Sequence, residues 1–169
     1  MELKTLNEIE IISAPHSKIS EVDFENLTFG NVFTDHMLVC DYVDGAWQKP
    51  VIEPYAPFMI DPSAKVFHYG QAIFEGMKAY KDEQDDVWLF RPDENYHRFN
   101  KSATRMAMPE VPEDVFLGGL HRLLEIEKEW VKKGKGNTLY IRPFMIATGH
   151  GVIAAPSQEY RFMIILSPA

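Results

Sequence analysis

Tyr140 and Arg142 stand two residues apart in the string Leu139-Tyr140-Ile141-Arg142-Pro143. On a β-strand, side chains at i and i+2 share one face, so the phenol and the guanidinium would project together. Such a pair can bind a carboxylate, the hydroxyl orienting it and the cation neutralising it. A plain solvent-facing strand gives the same pattern and competes with that reading. Arg98 lies in Asn95-Tyr96-His97-Arg98-Phe99-Asn100, on a stretch with helical spacing. Its planar fork suits a phosphate, while the competing reading is a solvated helix face with an i,i+4 pair to Glu94. The third signal is Phe67 to Tyr80, FHYGQAIFEGMKAY. Gly70 and Gly76 let the backbone bend at both ends of a short apolar segment, which can aim Tyr69 and Phe74 into a shared cavity. Alternatively this is a strand–turn–strand whose aromatics pack in the core.

Other chemistries find no support. The six histidines, at 16, 36, 68, 97, 121 and 150, have no metal-ligand spacing. There is no G-x-G-x-x-G, P-loop or nucleophile elbow, and no lysine in a context that marks an imine-forming residue. With 17 basic against 25 acidic residues the net charge is −8, which argues against a nucleic-acid partner. Cys40 is the single cysteine, so an intrachain disulfide is excluded. The N-terminus lacks the apolar run of a signal peptide. No apolar run nears the roughly 18 residues needed to cross a bilayer. The expectation is a soluble, cytoplasmic protein without a membrane or nucleic-acid partner.

These residues need elements to position them. The 169 residues correspond to one domain, or one and a fragment. The first 27 residues lack periodicity and are expected to run over the surface. Strands are expected over 33–42, 46–52, 77–81, 87–90, 139–147 and 160–166, with a proline-broken loop at 53–64 and a Gly/Ala/Pro loop at 149–157. A helix is expected over 93–108. A second starts at Pro112 and runs to Lys133, with Glu113 and Asp114 at its start and Gly134 beyond its end. Strands, two helices, then strands, without βαβ alternation, predict an α+β fold: a mostly antiparallel sheet with two helices on one face. The apolar strand RFMIIL runs straight into the last three residues, so the chain is read as the N-terminal part of a longer protein.

Four strings, LTFGNVFTDHM (27–37), VFHYGQAIFEGMKAY (66–80), LFRPDENYHRFNKSA (89–103) and LYIRPFMI (139–146), resemble the branched-chain amino acid aminotransferases in order and spacing. These are fold-type-IV enzymes that use pyridoxal 5'-phosphate (PLP). The resemblance implies the small N-terminal domain of a two-domain homodimer of amino-acid metabolism, residues 1–169. The implied reaction moves an amino group between leucine, isoleucine or valine and 2-oxoglutarate. By position, Arg98 would hold the PLP phosphate, and Phe29, Tyr69, Phe74 and Tyr140 would line the substrate pocket. Arg142 would support the two tyrosines and receive the distal carboxylate of glutamate. The family's cofactor-linked lysine and the acid paired with the pyridine nitrogen lie in the second domain, so no catalytic residue is assigned here and the 169 residues alone are expected to be inactive. The loop 149–157 matches the family poorly, and no role is carried onto it. The related D-amino acid aminotransferases and aminodeoxychorismate lyases, or a non-catalytic dimerisation or ligand-binding domain, are the alternatives.

Overall fold

Strict alternation builds the centre of the molecule. In a computed structural model, which describes residues 9–169, the strands are β1 (Glu10–Ile11), β2 (His36–Val43), β3 (Ala46–Trp47), β4 (Val51–Pro54), β5 (Ala72–Phe74), β6 (Met77–Lys81), β7 (Val87–Leu89), β8 (Leu139–Ala147) and β9 (Tyr160–Pro168). The helices are α1 (Lys65–Tyr69), α2 (Pro92–Arg105) and α3 (Gly119–Ile126). Among the described residues the strands form one sheet in the order β1-β4-β2-β9-β8-β6-β7, with β3 on β2 and β5 on β8. Every pairing is antiparallel except β1 with β4. The fold is α+β, with α2 and α3 on one face of the sheet.

In β8 every second side chain is buried. Leu139, Ile141 and Met145 join Leu38, Phe162 and Ile164 under Phe99 and Ala103 of α2 and Leu120 and Leu123 of α3. Phe99, Phe116 and Phe162 meet in this core with ring centroids 5.3–5.5 Å apart. Cys40 faces the same core, where burial first and Asp41 and Asp114 next push its thiol up to about 12. The opposite face of the sheet has its own smaller cluster, Met37, Val39 and Met163 beneath Tyr55, Phe144 and Ile146.

α2 starts with Pro92 in its first turn and Asp93 and Glu94 beside it, where the helix dipole favours acids. Asn100 ties the returning chain to α2, donating to the Val111 carbonyl and accepting from its N–H, both at 2.9 Å. Three expectations need correction. The single helix from Pro112 to Lys133 is instead a π-helical turn (Asp114–Gly118), α3, and a 3-10 turn (Lys128–Trp130). It breaks because Glu127 and Trp130 turn inward to hydrogen-bond Asp35. The segment 66–80 opens with the short helix α1, ended by Gly70 at φ +65°, before its strands begin. The N-terminal segment does not simply lie on the surface. β1 adds to the sheet, and Ile9, Ile19, Val22 and Phe24 pack on the core; residues 1–8 fall outside the described residues.

α3 comes close to β2 because Gly119 has no side chain: a Cβ there would sit 2.8 Å from Leu38 Cδ2. Leu38 is fully buried and has nowhere to retreat. Gly119→Val is expected to cost about 1–3 kcal/mol by overpacking, read as a lower urea midpoint with an unchanged m-value. An unaltered midpoint would mean that α3 can lift off the sheet without loss.

Candidate functional site

A proline in the middle of β8 shapes the strand beside it. Phe74 of β5 pairs with Phe144, and Met77 of β6 with Ile141, so β5 and β6 share one register along β8. Between them the Glu75 N–H donates to the Pro143 carbonyl at 2.9 Å. Pro143 has no N–H to return the bond. The side chains nevertheless keep alternating: Ile73, Glu75 and Met77 are buried towards the helices, and Phe74 and Lys78 are exposed on the other face.

Glu75 is therefore a carboxylate on the inner side of the sheet. It accepts from Arg98 Nε at 2.6 Å, from Arg98 Nη2 at 2.7 Å and from Asn95 Nδ2 at 2.9 Å, so two residues of α2 grip it. Burial alone would raise its pKa, but the hydrogen bonds from Arg98 and Asn95 outweigh that and hold it below the usual range. The pair is lopsided: the Glu75 side chain is 6% exposed and that of Arg98 69%. Arg98 thus reaches solvent with half its fork anchored. It borders a concavity of about 490 Å³ together with Phe90, Arg91, Asn95, His97 and Lys101. The surface pair with Glu94 does not form, since Glu94 bonds Arg91 at 3.0 Å instead.

The outer face carries the second group. Arg142 Nη2 donates to the Tyr140 hydroxyl oxygen at 2.6 Å, which leaves the hydroxyl hydrogen free to donate elsewhere. The Arg142 guanidinium carbon lies 4.3 Å from the centre of the Phe74 ring, a cation–π contact. Phe29 packs edge-on against Tyr140 at 5.0 Å. Gly76 makes room for this arrangement, because a Cβ there would collide with the Tyr140 hydroxyl. Across the ladder from Tyr140, Ser167 keeps a buried hydroxyl with no hydrogen-bond partner among the described residues. A concavity of about 330 Å³ is lined by Gly76, Lys78, Tyr80, Phe90, Asn95 and Tyr140. It shares Phe90 and Asn95 with the Arg98 concavity, so the two adjoin.

Four of the six candidate residues thus gather: Phe29, Phe74, Tyr140 and Arg142 form one cluster, and Arg98 borders the neighbouring hollow. Tyr69 is engaged elsewhere, its hydroxyl donating to the Val152 carbonyl in the loop 149–157. That loop is also held by Lys65, whose buried ammonium donates to the carbonyls of Ile153 at 3.2 Å and Ala155 at 2.7 Å. Glu75 and Lys65 are absent from the reading of the sequence, and Gly76, expected there as a bend, instead continues the register of β5 and β6 along β8. Glu75 did leave a signal: a carboxylate at an inward position between Ile73 and Met77 requires a partner.

No protein-family model matches the sequence. It is 53% identical over 147 residues to branched-chain-amino-acid transaminase 1 of Bacillus subtilis (strain 168), an alignment covering 86% of this chain and 41% of that protein. It is 46% identical over 153 residues to the branched-chain-amino-acid aminotransferase of Mycolicibacterium smegmatis, covering 89% of this chain and 42% of that one. Among solved structures, the branched-chain aminotransferase from Thermoproteus uzoniensis with norvaline superposes with a TM-score of 0.57 at 19% identity, over 79% of this chain and 41% of that one. At that identity the likeness shows the fold. Sequence identity near one half along most of its length makes the chain a homologue of part of the branched-chain-amino-acid aminotransferases, and it spans about two fifths of the length of the curated relatives it matches.

Proposed function

We propose that residues 1–169 are the N-terminal domain of a two-domain aminotransferase. In this reading the enzyme exchanges an amino group between leucine, isoleucine or valine and 2-oxoglutarate, with PLP as cofactor, as a cytoplasmic homodimer. The carrying observation is the Tyr140–Arg142 pair walled by Phe29 and Phe74, a carboxylate-binding group beside an apolar one.

The residues fit the cofactor's phosphate. Arg98 is anchored through Nε and Nη2, which fixes the plane of its remaining N–H groups, and Arg91, His97 and Lys101 border the same hollow together with Glu94, which is paired to Arg91. When bound, PLP supplies an electron sink and a carrier for the amino group. The chain's own residues bind and orient. The Tyr140 hydroxyl donates to the substrate carboxylate, and Arg142, already bonded to that hydroxyl, supplies the neutralising charge. Phe29 and Phe74 take the aliphatic side chain, and Arg142 takes the distal carboxylate when glutamate enters. Tyr69, its hydroxyl bonded to the Val152 carbonyl, takes no part in this carboxylate-binding group. The lysine that carries the proton belongs to the second domain.

The direct test is an aminotransferase assay on the two-domain protein and on residues 1–169 alone. Turnover of leucine and 2-oxoglutarate by the former only is expected. Turnover by the 169 residues, with a borohydride-trapped pyridoxyl adduct on one of their lysines, would overturn the two-domain reading. Arg98→Ala should weaken PLP binding by roughly tenfold or more, the cost of one charge-assisted hydrogen bond. A fluorescence titration reads this, and pyridoxal, which lacks the phosphate, should bind the variant and the parent alike. Arg142→Met should reduce kcat/KM for glutamate by roughly tenfold relative to leucine, since only glutamate loses a partner. Equal losses for both substrates would make Arg142 structural.

A further inference from the structure

The chain leaves and re-enters the fold at one side chain. Asp35 is 7% exposed. One of its carboxylate oxygens accepts the Lys18 N–H at 2.8 Å, and the other accepts the Ser17 hydroxyl at 2.5 Å and the Trp130 indole N–H at 3.1 Å. Burial would raise its pKa, but these hydrogen bonds outweigh it and hold the carboxyl below its ordinary value. The Asp35 N–H in turn donates to Glu127 Oε2 at 3.2 Å. The other Glu127 oxygen meets His36 Nδ1, while His36 Nε2 accepts the Ala14 N–H at 2.9 Å. That acceptor role puts the ring proton of a neutral His36 on Nδ1, facing Glu127.

Asp35 thus closes the stretch 17–35 into a loop. Its C-terminal end is stitched to the sheet in any case, by the Thr34 N–H to the Leu166 carbonyl at 3.0 Å. Its N-terminal end is held by Asp35 at Ser17 and Lys18, between the Ala14 N–H on His36 and Ile19 on the core. Phe24 leans on Trp130 at 6.1 Å, so the ring that Asp35 fixes also supports the middle of the loop. Where the loop turns back, with Gly30 at φ +79° and the Asn31 N–H bonded to the Thr28 carbonyl at 3.2 Å, Phe29 packs on Tyr140.

We propose that Asp35 is a positioning residue for the substrate pocket. By clasping Ser17, Lys18 and Trp130 it fixes the loop that keeps Phe29 against Tyr140. Its substrate consequence rests on the reading that Tyr140 and Arg142 bind the substrate. Asp35→Asn preserves size but presents an NH2 group either to the donors of both Ser17 and Trp130 or to the Lys18 N–H.

Two measurements separate the clasp from its consequence. In hydrogen exchange followed by mass spectrometry, Asp35→Asn should speed exchange across 19–33 by roughly tenfold, with β2, β8 and β9 unchanged. Unchanged exchange across 19–33, or equal acceleration of the strands, would overturn the clasp. In the two-domain protein, Asp35→Asn should raise KM for leucine about fivefold with kcat retained, and Asp35→Asn combined with Phe29→Ala should be no worse than Phe29→Ala alone, because the two act through one contact. Additive effects would show that Asp35 does not act through Phe29. If the parent protein fails to transaminate, the reading of the site falls, and with it the substrate consequence; the exchange measurement still decides the clasp.

Discussion

One missing hydrogen bond marks the place where both halves of the candidate site meet. Pro143 can accept from Glu75 but cannot donate, so the ladder between β8 and the strand beside it lacks a rung at this point. The register persists across the gap, with Phe74 opposite Phe144 on one side and Met77 opposite Ile141 on the other. Because the side-chain period is two, that register sends Glu75 inward and Gly76 outward. The inward carboxylate fixes Arg98, and the outward glycine makes room for the Tyr140 hydroxyl. A slip of one residue would exchange the two faces and abolish both groups at once.

The consequence is electrostatic as well as geometric. A carboxylate buried among Ile73, Met77 and Ala79 is unfavourable unless paired, and the pairing cation must come from the helices that cover that face. α2 provides it, and the same guanidinium emerges at the rim with part of its fork unused. Arg142, on the outer face, is oriented without a carboxylate, by a hydroxyl and an aromatic ring. Its charge is therefore not neutralised within the cluster, as a site for an anionic ligand requires.

How much of this can be read from the residues depends on how far apart the interacting groups lie. β8 is readable to the residue, because Leu139 to Arg142 alternates, an apolar run continues it, and glycines lie beyond both ends. α2 is readable within a few residues from its periodicity and Pro92. The Arg98–Glu75 pair is not, since the partners are 23 positions apart and Glu94 offers a nearer, plausible partner. The break after α3 is hidden for a similar reason: Trp130 and Glu127 continue the helical pattern, but Asp35, more than 90 residues away, draws them inward. Tyr69 belongs to the same class, its local spacing saying nothing of Val152 in a loop 83 residues on.

Buried polar side chains do the work that strand pairing cannot reach. Asp35 holds the loop 17–35, Glu75 holds α2 at the gap opposite Pro143, and Lys65 holds the loop 149–157 through backbone carbonyls. Each group bears a desolvation cost that an apolar residue would avoid, and each meets several partners rather than one. Replacing any of them by a hydrocarbon would keep the core filled but release a segment that carries a candidate pocket residue: Phe29 with the first, Arg98 with the second, Tyr69 with the third. The stable interior of the sheet is apolar and would hold without them. What they specify is the geometry at its margins, where two concavities meet at Phe90 and Asn95.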